Sequence, residues 1–96
     1  MLESKFQANL IKRIRHILPG SIVLKNDPNY IQGIPDLIVL FHDRWAALEV
    51  KRDAAASARP NQQWYVAKMS EMSYAAFVYP ENAEEVLDEL QRALAA

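Results

Sequence analysis

The chain has no cysteine in its 96 residues, which excludes a disulfide framework and any thiolate zinc centre. It also has no apolar run approaching the ~20 residues that a membrane helix needs. Met1-Leu-Glu-Ser-Lys5 lacks the apolar stretch of a signal peptide, so a reducing cytoplasm, without membrane association, is the expected setting. A charge excess is missing too: the formal net charge is −1, whereas nucleic-acid binders usually carry a large positive balance. His16 and His42 lie far apart and show no metal-ligand spacing, which keeps both out of any site. There are no internal repeats and no low-complexity tracts.

What is present is enough for one core. An apolar fraction of 51% suits a single domain over residues 1–96, although a chain this short buries only roughly 60–65% of its unfolded surface. Dimerisation is a natural supplement to so small a core. The near-zero charge hides an asymmetry: residues 1–68 hold ten Lys/Arg against six Asp/Glu, and residues 69–96 hold one Arg against six acids. A basic N-terminal two-thirds can face phosphates while an acidic C-terminal helix faces water; an ordinary pair of solvated faces gives the same numbers.

Phe6, Leu10, Ile14 and Ile17 recur at three- and four-residue steps, predicting a helix from Glu3 to Leu18 that Pro19-Gly20 stops. Ser21 to Lys25 reads as a first strand, followed by the turn-like Asn26-Asp-Pro-Asn29. Asp36 to Phe41 and Trp45 to Lys51 form a hairpin across His42-Asp43-Arg44. The near-continuous apolar run Leu37 to Phe41 predicts a strand buried on both faces. Residues 53–59 are small and unpatterned and read as a loop. Pro60 suits a first helical position, and Gln62, Tyr65, Val66, Met69 and Met72 trace one helical face. Ala75 to Tyr79 is a short strand, expected to lie parallel to the Glu49 strand after a right-handed crossover. Asn82 with Glu85 resembles a capping box opening a last helix with Val86, Leu87, Leu90 and Leu94 inward. Trp45, Trp64 and Tyr79 are expected in the core or at a dimer interface. The order is α-β-β-β-α-β-α, an α/β sandwich on a mixed sheet.

Two short patterns carry chemistry. Pro35-Asp36 heads one strand and Glu49-Val50-Lys51 ends the next, which brings two carboxylates and an ammonium to one sheet edge. A second Glu-x-Lys, Glu3-Ser4-Lys5, opens a helix, where residues two apart do not share a face. On a strand the side-chain period is two, so Glu49 and Lys51 point the same way and only this copy converges. Mg²⁺ is a hard ion that keeps most of its water and needs only one or two carboxylates plus a phosphate oxygen. The grouping suits metal-dependent phosphodiester cleavage; a plain ion-pair cluster at a sheet edge is the alternative.

Gly33-x-Pro35-Asp36 with Glu49-x-Lys51, in this order of elements, resembles the VRR-NUC branch of the PD-(D/E)xK nuclease superfamily, from Glu3 to about Tyr79. The resemblance implies a restriction-endonuclease-like fold and similarity to Holliday junction resolvases. It implies Mg²⁺, with Mn²⁺ able to substitute, held by Asp36, Glu49 and the backbone carbonyl of Val50, while Lys51 orients the attacking water or stabilises charge at phosphorus. Its helix glutamate corresponds to Glu3, an outer or water-mediated ligand, which by helical phase shares the stripe of Phe6 and Leu10. Its glutamine corresponds to Gln62, on the face of Tyr65 and Val66, with Gln63 as the other candidate. Arg59 stands where similar proteins often carry a serine or threonine cap, and an arginine there can clamp a phosphate.

Lys25, Tyr30, Arg52 and Arg59 sit near the catalytic edge as candidate nucleic-acid contacts, with Tyr30 placed to stack on a base. Lys12, Arg13, Arg15 and His16 form a basic cluster late in the first helix, more simply a solvated face. The resemblance implies a Mg²⁺-dependent, structure-selective endonuclease acting as a homodimer on branched DNA such as four-way junctions, since two cuts need two sites. A compact nuclease of this kind is at home in a phage. The alternatives are a nuclease-fold DNA-binding module, and an accessory subunit that cuts only with a partner.

Overall fold

The structure, a computed structural model, describes residues 2–96. Helix α1 (Glu3–Ile17) is followed by strands β1 (Ile22–Lys25), β2 (Leu37–Phe41) and β3 (Arg44–Val50), helix α2 (Pro60–Met72), strand β4 (Tyr74–Val78), a 3₁₀ turn (Pro80–Asn82) and helix α3 (Ala83–Ala95). The strands form one mixed sheet in the order β1-β2-β3-β4. β1, β2 and β3 pair antiparallel, and β4 joins β3 in parallel. This is the α/β architecture on a mixed sheet that the sequence predicts.

Strand parity divides the sheet into two faces. Leu37, Val39, Ala46, Leu48, Val50 and Val78 are buried in one cluster with Phe6, Leu10 and Ile14 of α1 and Val86, Leu87, Leu90 and Leu94 of α3. The stripe read from the sequence is therefore the core-facing side of α1. The helix stops where Leu18 donates its N–H to the Ile14 carbonyl and Gly20 takes a left-handed φ of +89°. A single buried leucine at Leu48 or Leu90 contributes about 1.5–3 kcal/mol by leaving water. Arg13 of α1 pairs with Glu84 of α3, joining the basic first helix to the acidic last one.

The opposite face carries α2, which lies chiefly over β3 and β4. This limited cover corrects several expectations. β2 is not buried on both faces: Ile38 and Leu40 are half-buried, and the strand enclosed on both sides is β3, buried from Ala46 to Val50. Ile22 and Leu24, on β1 opposite Leu40 and Ile38, are 57% and 45% exposed. Val66 is the only buried residue of α2; Met72 and Trp64, at 67% and 58% exposed, lie outside the core, which leaves Trp64 its interface alternative. Asn82 precedes α3 but does not cap it. Its side chain instead accepts from the Tyr79 N–H and donates to the Phe77 carbonyl, fixing the exit from β4. The β4 strand itself begins one residue earlier than expected, at Tyr74.

Leu48→Ala and Leu90→Ala should each cost about 2–5 kcal/mol in chemical denaturation. Trp64→Ala, in contrast, should stay within about 0.5 kcal/mol of wild type, as surface substitutions do; a loss of core magnitude there would contradict its place on the surface.

Candidate active site

The hairpin of β2 and β3 sets the site. Leu37 pairs with Leu48 in register, so Asp36, just before β2, and Glu49, at the end of β3, stand side by side on the α2 face. Asp36 is tied to the partner strand directly: its Oδ2 accepts the Val50 N–H at 2.8 Å. Asn26 holds the same corner from β1, its N–H donating to the Asp36 carbonyl at 2.8 Å and its side-chain amide to the Pro35 carbonyl at 2.7 Å. Sequence reasoning passed over Asn26, whose only visible signal was its place in a turn-like stretch. Its two bonds show that it positions the carboxylate.

Lys51 follows β3, and its N–H donates to the Val78 carbonyl of β4 at 2.8 Å. Its ammonium lies 2.8 Å from Gln62 Oε1 and 3.5 Å from Glu49 Oε2. Gln62 closes the arrangement by donating Nε2 to Glu49 Oε2 at 3.1 Å. The same Oε1 accepts the Arg59 N–H at 3.0 Å, the bond by which the third helical residue reaches back to the residue before the helix. Gln62 thus does structural and polar work at once. Gln63 is exposed and reaches only the Ala58 carbonyl, at 3.3 Å, so the choice between the two falls on Gln62.

Glu49 is 3% exposed, and its Oε1 is buried without a hydrogen-bond partner. Burying a carboxylate is costly unless it is paired and hydrogen-bonded. Burial pushes its pKa up to about 7, the Asp36 charge beside it adds to the rise, and Lys51 opposes it. Asp36 is raised as well, first by burial, against the Val50 N–H and the Lys51 charge. Two carboxylates facing one ammonium leave negative charge uncompensated. An unpartnered carboxylate oxygen in a set of hard oxygen donors fits a small divalent cation such as Mg²⁺.

The surrounding cleft, about 260 Å³, is lined by Asp36, Glu49, Arg59 and Gln62 and, on the other side, by the loop that includes Asn29 and Gln32. Gly33 lets that loop approach α2. It has a φ of +88°, and a Cβ there would lie 2.7–2.9 Å from Asn61 atoms, closer than side chains tolerate.

Glu3 does not join the cleft. It is exposed in the first turn of α1, and the buried stripe begins only at Phe6. Among the described residues no group of three or more His, Asp or Glu converges as a metal cage, so two carboxylates are the acidic donors of the site. Of the four candidate nucleic-acid contacts, only Arg59 lines the cleft. Tyr30, 84% exposed, borders an adjacent groove with Ile31, Ile34 and Ile38. Arg52 is exposed beside Asp53, at 3.6 Å, and Lys25 lies on the α1 side of the sheet with Lys12 and Arg15. His16 and His42 are surface residues away from the site.

No family model matches the chain, and no curated protein is significantly similar to it.

The raised Glu49 carboxyl sets a pH dependence. The folded chain holds this proton up to about 7 while the unfolded chain releases it near 4.5. The associated stability is complete below the lower value and is lost as pH rises through the upper one. The melting temperature of the metal-free protein should therefore fall between pH 5 and 8. Glu49→Gln should flatten most of that fall and be the more stable protein at pH 8, where Mg²⁺ should raise the melting temperature of wild type but not of the variant. Parallel pH profiles for the two proteins would refute the assignment.

Proposed function

We propose that the chain is a Mg²⁺-dependent, structure-selective DNA endonuclease of the VRR-NUC type within the PD-(D/E)xK superfamily, working as a homodimer on branched DNA. The observation that carries this reading is the convergence of Asp36, Glu49, Lys51 and Gln62 at one sheet edge, with Glu49 Oε1 buried and unpartnered. Asp36 and Glu49, with the Val50 carbonyl, are the groups that would hold the ion. When bound, a divalent cation supplies acidification of the attacking water and neutralisation of phosphate charge.

The protein's own groups divide the remaining tasks. The Val50 N–H engages one oxygen of Asp36 and holds its carboxylate at the cleft. Lys51 has three N–H donors; Gln62 takes one and Glu49 attracts another, leaving capacity for an oxygen of the scissile phosphate or of the attacking water. A cation fixed in advance where charge develops lowers the barrier because little reorganises during reaction. Gln62 holds Lys51 and Glu49 at a set separation by bonding both. Arg59, at the cleft wall, is placed to grip a neighbouring phosphate.

One observation favours a second reading, an accessory subunit or DNA-binding module that cuts only with a partner: Glu3 stands outside the cleft, so the acidic set is one short of the arrangement that the resemblance implies.

Labelled four-way junction, flap, duplex and single-stranded DNA, with matched RNA, incubated with Mg²⁺ or Mn²⁺, test the proposal. Paired symmetric cuts are expected in the junction. Asp36→Ala and Lys51→Ala should lower the rate by about 10²-fold or more with junction binding retained. Gln62→Ala should be impaired and Gln63→Ala near wild type. Cleavage by Asp36→Ala at the wild-type rate would remove the site assignment, and absence of cutting on every substrate would favour the accessory reading.

A further inference from the structure

Away from the cleft, α1 and β1 enclose a second polar feature. Ala8, Ile11, Lys12 and Arg15, at helical spacing, line a groove of about 280 Å³ whose far wall is Lys25 of β1. Lys12, Arg15 and Lys25 are all exposed. Among the described residues none of the three has an ion-pair partner, whereas Arg13 pairs with Glu84, Arg92 with Asp88, Arg52 with Asp53 and Lys51 with Glu49. The groove therefore gathers uncompensated positive charge in a chain whose net charge is −1. In the sequence Lys12 and Arg15 read as a solvated helix face; only the fold brings Lys25 to them.

The position of the groove matters as much as its charge. Lys25 is in register with Leu37, the residue after Asp36, and its neighbour Asn26 bonds the Asp36 backbone. The groove thus reaches within a residue or two of the catalytic edge. By strand parity, however, Lys25 and Leu37 belong to the α1 face, opposite Glu49 and Gln62. A strand lying in the cleft on the α2 side does not also fill this groove.

We infer that the Lys12–Arg15–Lys25 groove binds a second sugar–phosphate backbone, one that leaves the catalytic edge on the other side of the sheet, as an arm of a branched nucleic acid would; this rests on the nuclease reading of the neighbouring cleft. The selectivity of the groove is geometric: a linear duplex fills the cleft or the groove, and a branched one fills both. Each cation placed on a phosphate releases a condensed counterion, so the contribution appears as salt dependence.

Binding is measured with the Asp36→Ala protein, which separates binding from cutting. Fluorescence anisotropy follows a labelled four-way junction and a linear duplex of the same arm sequence between 50 and 200 mM NaCl. Lys12→Ala, Arg15→Ala and Lys25→Ala are added singly and together, with Lys68→Ala on the exposed side of α2 as control and thermal melts to confirm folding. For the junction, the slope of log K against log salt should fall by about one per groove cation removed. The triple variant should bind it on the order of tenfold more weakly at 100 mM, with a smaller loss for the duplex. An unchanged junction slope in the triple variant, an equal drop with Lys68→Ala, or groove-dependent binding of poly-glutamate in place of DNA would each overturn the inference. The two proposals fail separately. A wild-type protein that never cuts while the triple variant still loses junction binding would sink the nuclease reading alone, and a wild-type protein that cuts while the triple variant binds unchanged would sink the groove alone.

Discussion

The rest of the structure is arranged around the burial of one carboxylate. Glu49 is the last residue but one of β3, the strand enclosed on both faces, and only a few groups can answer its charge there. Lys51 reaches back from two residues on, Gln62 donates from the helix above, and one oxygen is left without a partner. A buried acid in this condition lowers the stability of the metal-free fold, because burial and the Asp36 charge both oppose its ionisation. Stability surrendered at such a buried charge must be recovered elsewhere. Here it comes from the opposite face of the same strands, where Leu48 and Val50 anchor the α1–α3 core.

The two sides of the site are held by different means. The carboxylate side is fixed by backbone pairing: Asp36 bonds the main chain of β3, and Asn26 bonds the main chain around Asp36. The amide side is fixed by a helix terminus, since Gln62 satisfies the Arg59 N–H while it bridges Lys51 and Glu49. Arginine has no side-chain oxygen with which to cap, and the Gln62 N–H that a capping hydroxyl would serve is taken by the Asn61 side chain instead. Gly33 keeps the two sides together by allowing the loop beneath the cleft to touch Asn61.

Much of this was legible in the sequence because the periods are local. Alternation placed Glu49 and Lys51 on one side of a strand, Gly and Pro marked the ends of the elements, and helical phase separated Gln62 from Gln63. What escaped depended on where one element lands upon another. Glu3 has the phase of Phe6, but the packing partner of the stripe ends before the first turn does, so phase alone carried it to the wrong place. Apolar content in β2 suggested burial on both faces; α2 lies over β3 and β4, and run length does not reveal where a helix lands. Asn82 has the sequence of a cap, yet the β4 exit offers its side chain two backbone partners, and these win. Lys25 was placed near the catalytic edge, and strand parity, which the sequence did not yet fix, turns its side chain to the α1 face there.

The pairing of the sheet divides the cleft by sequence separation. Asp36 and Glu49 meet within an antiparallel hairpin closed by two residues, whereas Gln62 reaches them only because α2 is laid across the sheet by the crossover to the parallel strand β4. The two acids therefore depend on a local contact, and the amide that bridges Glu49 to Lys51 depends on a long closure. A change that loosened the crossover would part Gln62 from Glu49 while the register that sets Asp36 beside Glu49 persisted.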